Sequence, residues 1–341
     1  MRKLKVGIIG IGYQGRRHAE SYSELREAEL LAISDPDKKK AEDAARALSV
    51  PNAYVDYKEI LENPEVDAVS VATPDFLHRD PVVDSLEAGK HVLCEKPLAT
   101  SLEDIDAMIA AWKKSGVKFM VSFENRWNPP FRNAKRIVEN GKIGHIIHMY
   151  TRLNTWRDVP LRMLGWAGRS SPALFLSVHP LDLCRWFTGS EISEVVAHGC
   201  SGFLRRRGVD TLDAIQSLIA FENGAKCIVE SSWIMPNRFP SGADFEFRII
   251  GSKGSLEIDP TLQSGILSTD ETHEYPEVFR LMTIDGYPYG FVPGVVRHFV
   301  HCVLENKQPL TSPYDGRAAT EAALAILESI SKKKIIQLSK R

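Results

Sequence analysis

Cysteine is scarce: five in 341 residues, an odd number with no C-x-x-C pair. That excludes a disulfide scaffold and a cysteine-built metal centre, and reduced thiols in a cytoplasmic protein are the expectation. An excess of either charge is also missing. Lys plus Arg number 43 and Asp plus Glu 44, a net charge of −1, so the surface carries no strong bias toward nucleic acid or an anionic membrane. Nothing approaches the ~20 consecutive apolar residues of a membrane span. The apolar run within Met1–Gly10 is about five residues long, shorter than the ~7–15 of a signal peptide, and no small-residue cleavage site follows it. It reads as a first strand. Repeats and low-complexity tracts are absent. His298, His301 and Cys302 share a helical spacing, but no partner cluster accompanies them, so no metal is expected.

What remains is a chain long enough for two cores. Leu4–Ile9 is a short apolar strand, followed at once by Gly10-Ile11-Gly12-Tyr13-Gln14-Gly15 and a helical stretch from Arg16. This is G-x-G-x-x-G in a strand–turn–helix setting. Gly10 permits the turn, Gly12 lets backbone approach a pyrophosphate, and Gly15 lets the helix lie close on the strand. Gly10, Gly12, Tyr13, Gln14 and Gly15 are therefore the expected cofactor loop. Asp35 ends the second strand, Leu30–Ser34, about 20 residues after Gly15, where an acid accepts hydrogen bonds from the ribose hydroxyls of NAD. Lys38, Lys39 and Lys40 follow, so NADP stays open beside NAD.

Strands at 52–54, 68–71, 91–94 and 119–121 alternate with helical patterns at 38–48, 81–88 and from a capping box at Thr100–Glu103 to about Lys114. Such alternation gives a parallel, doubly wound sheet. The expected fold is α/β: a dinucleotide-binding Rossmann domain over 1–122, then a domain over 123–341 for substrate and oligomerisation. In such sheets ligands bind beyond the strand carboxyl ends, which places Glu95 and Lys96 at a cleft mouth. The second half reads as a helix at Phe131–Glu139, a strand at His145–Asn154, an irregular loop at Gly165–Ser177 and a helix at Val178–Phe187. Strands with hairpin spacing follow between Ile192 and Ile258, then helices at Val295–Leu304 and Gly316–Ser331.

Several motifs stand in a telling order: Gly10–Gly15 with His18, Ala72-Thr73-Pro74 with His78, Glu95-Lys96-Pro97, Asn125-Arg126, Phe131–Lys135, Gly141–Gly144, and His179 with Asp182. Together they resemble the glucose–fructose oxidoreductase / inositol dehydrogenase family (Gfo/Idh/MocA), over nearly the whole chain. The resemblance implies an NAD(P)-dependent dehydrogenase acting on a secondary hydroxyl or carbonyl of a sugar, polyol or related small molecule. It implies Lys96 and His179 as catalytic groups, and Thr73, Pro74, His78 and Glu95 beside the cofactor. A cis bond before Pro97 and a large, mostly antiparallel open sheet that joins copies into a homodimer or homotetramer are further implications. Lys96, Arg126, Trp166, His179 and Asp182 are the substrate-binding candidates.

In one place the sequence departs from that pattern. The family usually carries Asp four residues before the histidine, and here the residue is Phe175; Ser177 replaces a common glycine. Phenylalanine can neither bind a sugar hydroxyl nor raise a histidine's basicity. The departure points to a more apolar or differently placed substrate, and it keeps a second reading in view: a catalytically silent dinucleotide sensor or regulator on the same fold.

Overall fold

The computed structural model describes residues 2–261, 267–269, 273–274, 281–285 and 287–338. Two compact units form, Met1–Trp127 with Phe279–Arg317, and Asn128–Val278 with Ala318–Arg341. The sequence reading divided the chain once, after residue 122; in the structure the first unit also takes in a late segment.

The first unit holds a six-stranded sheet. Its strands are β1 (Leu4–Ile9), β2 (Ala28–Ser34), β3 (Asn52–Tyr54), β4 (Ala68–Val71), β5 (His91–Glu95) and β6 (Phe119–Ser122), in the order β3-β2-β1-β4-β5-β6. Every pairing is parallel. Strands covered on both faces read as continuous apolar runs, and β4 and β6 are buried at every residue. The strand order reverses between β1 and β4, where such folds bind dinucleotides.

Helix α1 (Tyr13–Glu24) follows the glycine loop. Then come α2 (Lys38–Ala47), α3 (Lys58–Glu62), α4 (Arg79–Glu87) and α5 (Leu102–Ser115). The cap of α5 is one residue later than expected. Ser101 Oγ accepts from the Asp104 amide at 3.2 Å and donates to the Asp104 carboxylate at 2.7 Å, because the helix begins at Leu102 rather than Ser101.

The late segment joins this unit through an apolar stripe. Val295, Val296, Phe299 and Val300 belong to one buried cluster with Tyr22 and Leu25. Each such side chain is worth roughly 1.5–3 kcal/mol when fully buried. Their helix runs from Phe291 to Leu304, one turn earlier than expected, with Pro293 tolerated in its first turn. His298 lies against Trp127, ring centroids 5.1 Å apart, and its Nε2 accepts the Leu310 amide at 3.0 Å.

The second unit is built on α6 (Pro129–Glu139), β7 (Ile146–Trp156), α7 (Val178–Thr188), β8 (Ile192–Cys200), β9 (Ala214–Phe221), β10 (Lys226–Met235), β11 (Ala243–Gly251) and β12 (Ser255–Ile258). A seven-stranded sheet has the order β12-β11-β7-β10-β9-β8 and then the short strand Ile336–Gln337. Its pairings are antiparallel except β7 with β10. Alternation along β9 and β10 buries one face. Beneath it Phe131 of α6 meets Phe245 at 5.0 Å and Phe247 at 5.5 Å between ring centroids, and Phe187 of α7 closes the cluster.

The stretch 165–177 is not the irregular loop expected from sequence. Ala167–Arg169 forms a short turn and Ala173–Ser177 a π-helical turn running directly into α7. Ser171 makes this possible: its carbonyl accepts the Phe175 amide at 2.9 Å and its hydroxyl accepts the Leu174 amide at 3.3 Å. Ser177 then ties the turn to β10 through Ser231 Oγ at 2.9 Å. Among the described residues, no helix is long and apolar enough to cross a membrane.

Candidate active site and dinucleotide-binding edge

The glycine loop can be tested by asking what a methyl group would meet. At Gly10, φ is +87°, a left-handed value, and a Cβ would stand 2.9 Å from both the Ala72 carbonyl oxygen and the Thr73 amide nitrogen. At Gly15 it would collide with the Gly10 carbonyl oxygen at 1.9 Å. At Gly12 it would enter open space, with nothing within 4 Å. That cradle, at the start of α1, suits a pyrophosphate: backbone can approach it, and the helix N-terminus presents amides with positive dipole.

Asp35 lies beside it. Its Oδ2 accepts the Ile11 amide at 3.0 Å and its Oδ1 the Asp37 amide at 2.9 Å. The carboxylate is fixed at the end of β2 with lone pairs left for the two hydroxyls of a ribose. Tyr13 is exposed and Gln14 half-buried in the same turn.

From Gly10 the edge continues across β4 to β5. Thr73 and Pro74 are half-buried. His78 is buried, and its ring bridges two loops: Nε2 is 3.0 Å from the Thr73 carbonyl oxygen and Nδ1 is 2.9 Å from that of Pro97. Its nitrogens thus brace the walls of the edge. The Lys96–Pro97 peptide is cis, and Lys96 is half-buried at the rim. Gly10, Gly12, Gly15, Asp35, Thr73, His78, Glu95 and Lys96 are therefore gathered along one edge of one sheet.

Glu95 sits under that edge, only 4 % exposed. Its Oε1 is 3.0 Å from His18 Nε2, and its Oε2 accepts the Lys96 amide at 3.2 Å. The other nitrogen of His18, Nδ1, is 2.7 Å from Ser70 Oγ. Burial by itself would raise the Glu95 carboxyl. The His18 hydrogen bond and charge, then the Lys96 ammonium and the Ser122 hydroxyl, outweigh it, and the group lies below its ordinary value. Burial pushes the neighbouring Cys94 thiol well up, as for an inert packing residue. The site candidates from sequence omitted His18, Ser70 and Ser122. A signal was present: each serine interrupts a buried strand of Ala, Val, Phe and Met, and a polar group there needs a partner.

Arg126 is placed differently. Its guanidinium donates to the Leu310 carbonyl oxygen at 3.1 Å and to Asp315 Oδ1 at 2.9 Å, joining the turn after β6 to the start of the last long helix.

In the second unit, His179 is the second residue of α7, and Asp182 lies one turn on; both are buried. Phe175, on the π-helical turn before them, stands between two tryptophans. Trp166 is edge-on at 6.2 Å and Trp233 tilted at 5.9 Å, centroid to centroid. Trp233 is fully buried and donates its indole N–H to the Leu212 carbonyl oxygen at 2.7 Å. Trp166 and Phe175 remain half-buried, an aromatic surface carried by the stretch that leads into His179.

Family models match both parts of the chain: an oxidoreductase family with an NAD-binding Rossmann fold over residues 4–123, and the GFO/IDH/MocA C-terminal domain over 131–257. The chain belongs to the Gfo/Idh/MocA family. It is similar to the myo-inositol 2-dehydrogenase of Thermotoga maritima, 30 % identical over 98 % of each chain. It is also similar to the levoglucosan dehydrogenase of Pseudarthrobacter phenanthrenivorans, 29 % identical over 97 % of each. Among solved structures, scyllo-inositol dehydrogenase of Lactobacillus casei with NAD(H) and scyllo-inositol superposes with a TM-score of 0.84 at 26 % identity, covering 98 % of this chain and 99 % of that one. Membership makes this Gfo/Idh/MocA chain an oxidoreductase whose cofactor is NAD, and the cradle at Gly10–Gly15 with Asp35 fits that cofactor.

Two outcomes follow from the cradle. Gly12→Ala should leave the apo melting temperature within about 2 °C of wild type but weaken NAD binding at least tenfold, since its methyl enters only the ligand's space. Gly15→Ala should lower the apo melting temperature by roughly 5 °C or more, because it clashes with backbone. Scanning calorimetry with and without NAD separates the two. Asp35→Ala should weaken NAD about tenfold while leaving NADP binding within threefold of wild type, measured by titration calorimetry with both cofactors.

Proposed function

We propose that this family member is a dehydrogenase of the CH–OH group of a sugar, polyol or related small molecule, with Lys96 polarising the reacting oxygen and His179 exchanging its proton. The observation that carries the reading is Lys96 held at the carboxyl end of β5, on the same edge as the dinucleotide cradle. NAD supplies, when bound, the acceptor for the hydrogen leaving carbon. The ammonium of Lys96 stabilises negative charge growing on the substrate oxygen. His179 takes the hydroxyl proton in oxidation and returns it in reduction. Asp182, one turn along α7, is a partner for a substrate hydroxyl. Arg126, engaged by Leu310 and Asp315, fits an anchoring role better than direct recognition.

Phe175 and Trp166 shape the substrate class. Aromatic rings reward contact with apolar C–H surface rather than with hydroxyls. A cyclic or anhydro sugar with one C–H face suits them better than an open polyol. Inositols and levoglucosan, substrates in the names of the relatives, therefore head the panel, followed by aldoses, amino sugars and hydroxy acids.

The test is turnover of that panel, read as NADH and NADPH absorbance, in wild type, Lys96→Ala and His179→Ala. At least one substrate should turn over, with each variant slower by about 10²–10⁴-fold. Undiminished turnover in Lys96→Ala would end the proposal. NAD binding by thermal shift with no turnover anywhere would favour the sensor reading, for which Phe175 in place of a carboxylate is the motive.

We also propose that the open face of the seven-stranded sheet pairs with a second copy of this chain. Val196, Leu218, Ile228 and Tyr150 are cross-strand neighbours on β8, β9, β10 and β7, forming one apolar row. Leu218 is 47 % and Ile228 50 % exposed. The next row places Gln216, Glu230, Arg152 and Glu246 side by side, and Arg152 is bound to Asp244 at 2.8 Å. An apolar row of this kind can meet its own copy about a two-fold axis, where the same patch lies on both sides. Leu218→Arg with Ile228→Glu should convert a dimer or tetramer to monomer by light scattering while circular dichroism stays unchanged. A monomeric wild type would refute the pairing.

A further inference from the structure

Glu95 is costly where it stands. A carboxylate taken from water into strand ends made of Val, Leu and Cys needs compensation from charge and hydrogen bonds. A glutamine or methionine would fill the same volume at less cost. The charged form has two supports: His18 Nε2 at 3.0 Å from one oxygen, and the Lys96 amide at 3.2 Å on the other. His18 in turn is fixed from behind by Ser70 Oγ at 2.7 Å. His18 belongs to α1, whose N-terminus forms the cofactor cradle. One buried chain thus runs from β4, through the cofactor helix, to the backbone atom that carries Lys96.

We propose that Glu95, backed by His18, is the positioning residue for Lys96: it fixes the peptide plane from which the lysine projects and places a carboxylate within electrostatic reach of its ammonium. The two functions are separable in principle. Oε2 sets position through the Lys96 amide, and the charge set against His18 sets the electrostatic environment of the lysine. The Lys96 ammonium is among the charges that hold the Glu95 carboxyl below its ordinary value, so the two side chains are within electrostatic reach of each other. Tyr22, one turn beyond His18 on α1, is fully buried, and its hydroxyl is kept protonated by burial. It adds no competing charge to the chain.

Glu95→Gln isolates the charge. The amide oxygen still accepts the Lys96 amide, and the amide N–H can donate to His18 Nε2 while His18 donates to Ser70. Shape and the hydrogen bond to the Lys96 amide survive; the negative charge does not. This inference rests on the reading of Lys96 as the polarising group, so one arm of the experiment does not use turnover. That arm is acylation of Lys96 by an amine-selective reagent at pH 8, followed by peptide mass spectrometry. With the neighbouring negative charge gone, labelling of Lys96 should speed up at least threefold, while labelling of exposed Lys38 stays constant. In the turnover arm, kcat should fall 10–100-fold with the substrate KM and the NAD dissociation constant each within threefold of wild type.

Unchanged labelling of Lys96 would overturn the proposal whether or not any substrate is found. So would a kcat within twofold of wild type, or a loss shared equally by kcat, NAD affinity and melting temperature, which would make the pair a structural brace. Failure of the whole substrate panel, with labelling accelerated as expected, would count against the dehydrogenase reading and not against this pair. If Glu95→Gln does not fold, His18→Gln carries the same readouts. It keeps a donor toward Oε1 and loses the imidazole, and it should slow kcat 3–10-fold with KM unchanged.

Discussion

The approach of α1 to β1 governs the first unit. A Cβ on Gly15 would stand 1.9 Å from the Gly10 carbonyl oxygen, so helix and strand lie closer than any side chain permits. Three consequences come from that one approach. The N-terminus of α1 opens at the place where the strand order reverses, with its amides directed at an anion. One turn on, His18 is carried under the sheet edge within reach of both Ser70 and Glu95. Beyond it, Tyr22 and Leu25 present the apolar surface to which Val295, Val296, Phe299 and Val300 attach. A larger residue at 15 would move all three together.

Parallel pairing does the rest of the gathering. Because β1, β2, β4 and β5 run the same way, their carboxyl ends share one edge, and residues far apart in sequence meet there without long loops. Asp35 reaches the Ile11 amide, and His78 spans from Thr73 to Pro97. This is why so much of the first unit was legible in the chain alone. Each strand is a short apolar run, each chemical residue follows its strand at once, and the glycine spacing has a single geometric meaning. Where the reading fell short, the signal was not local. The late helix joins the first unit because of what its stripe meets, which no periodicity reports. The buried pair of His18 and Glu95 needs two residues 77 positions apart to be seen as neighbours. The capping box slipped by one residue because Thr100 and Ser101 are equally good caps by type, and only the start of the helix chooses between them.

The second unit was less legible for a different physical reason. Its sheet could be read from alternation, but the stretch that leads to His179 has neither a helical nor a strand period. A π-helical turn at Ala173–Ser177 has a wider repeat than the α-helix it enters, so its residues look unpatterned in sequence. The turn is stabilised locally by Ser171 and tied to β10 by the Ser177–Ser231 contact, and only the second depends on a tertiary neighbour.

That wide turn has a chemical corollary. Phe175 is supported from below by Trp233, whose indole N–H is bound to the Leu212 carbonyl oxygen and whose ring is fully buried. A half-buried aromatic that rests on a second, fixed aromatic would uncover apolar surface of both rings by rotating away. The apolar surface at this position is therefore built in, and it cannot be a carboxylate site that happens to carry a different residue. Replacing Phe175 by Asp alone would set a charge against the rings of Trp233 and Trp166, with the Trp233 indole N–H already engaged by the Leu212 carbonyl oxygen. The cofactor edge and the stretch that leads into α7 thus differ in what fixes them. One is set by backbone approach at two glycines and tolerates little change. The other is set by aromatic packing around a single turn, so its surface can change while Gly15, Asp35 and Glu95 stay as they are.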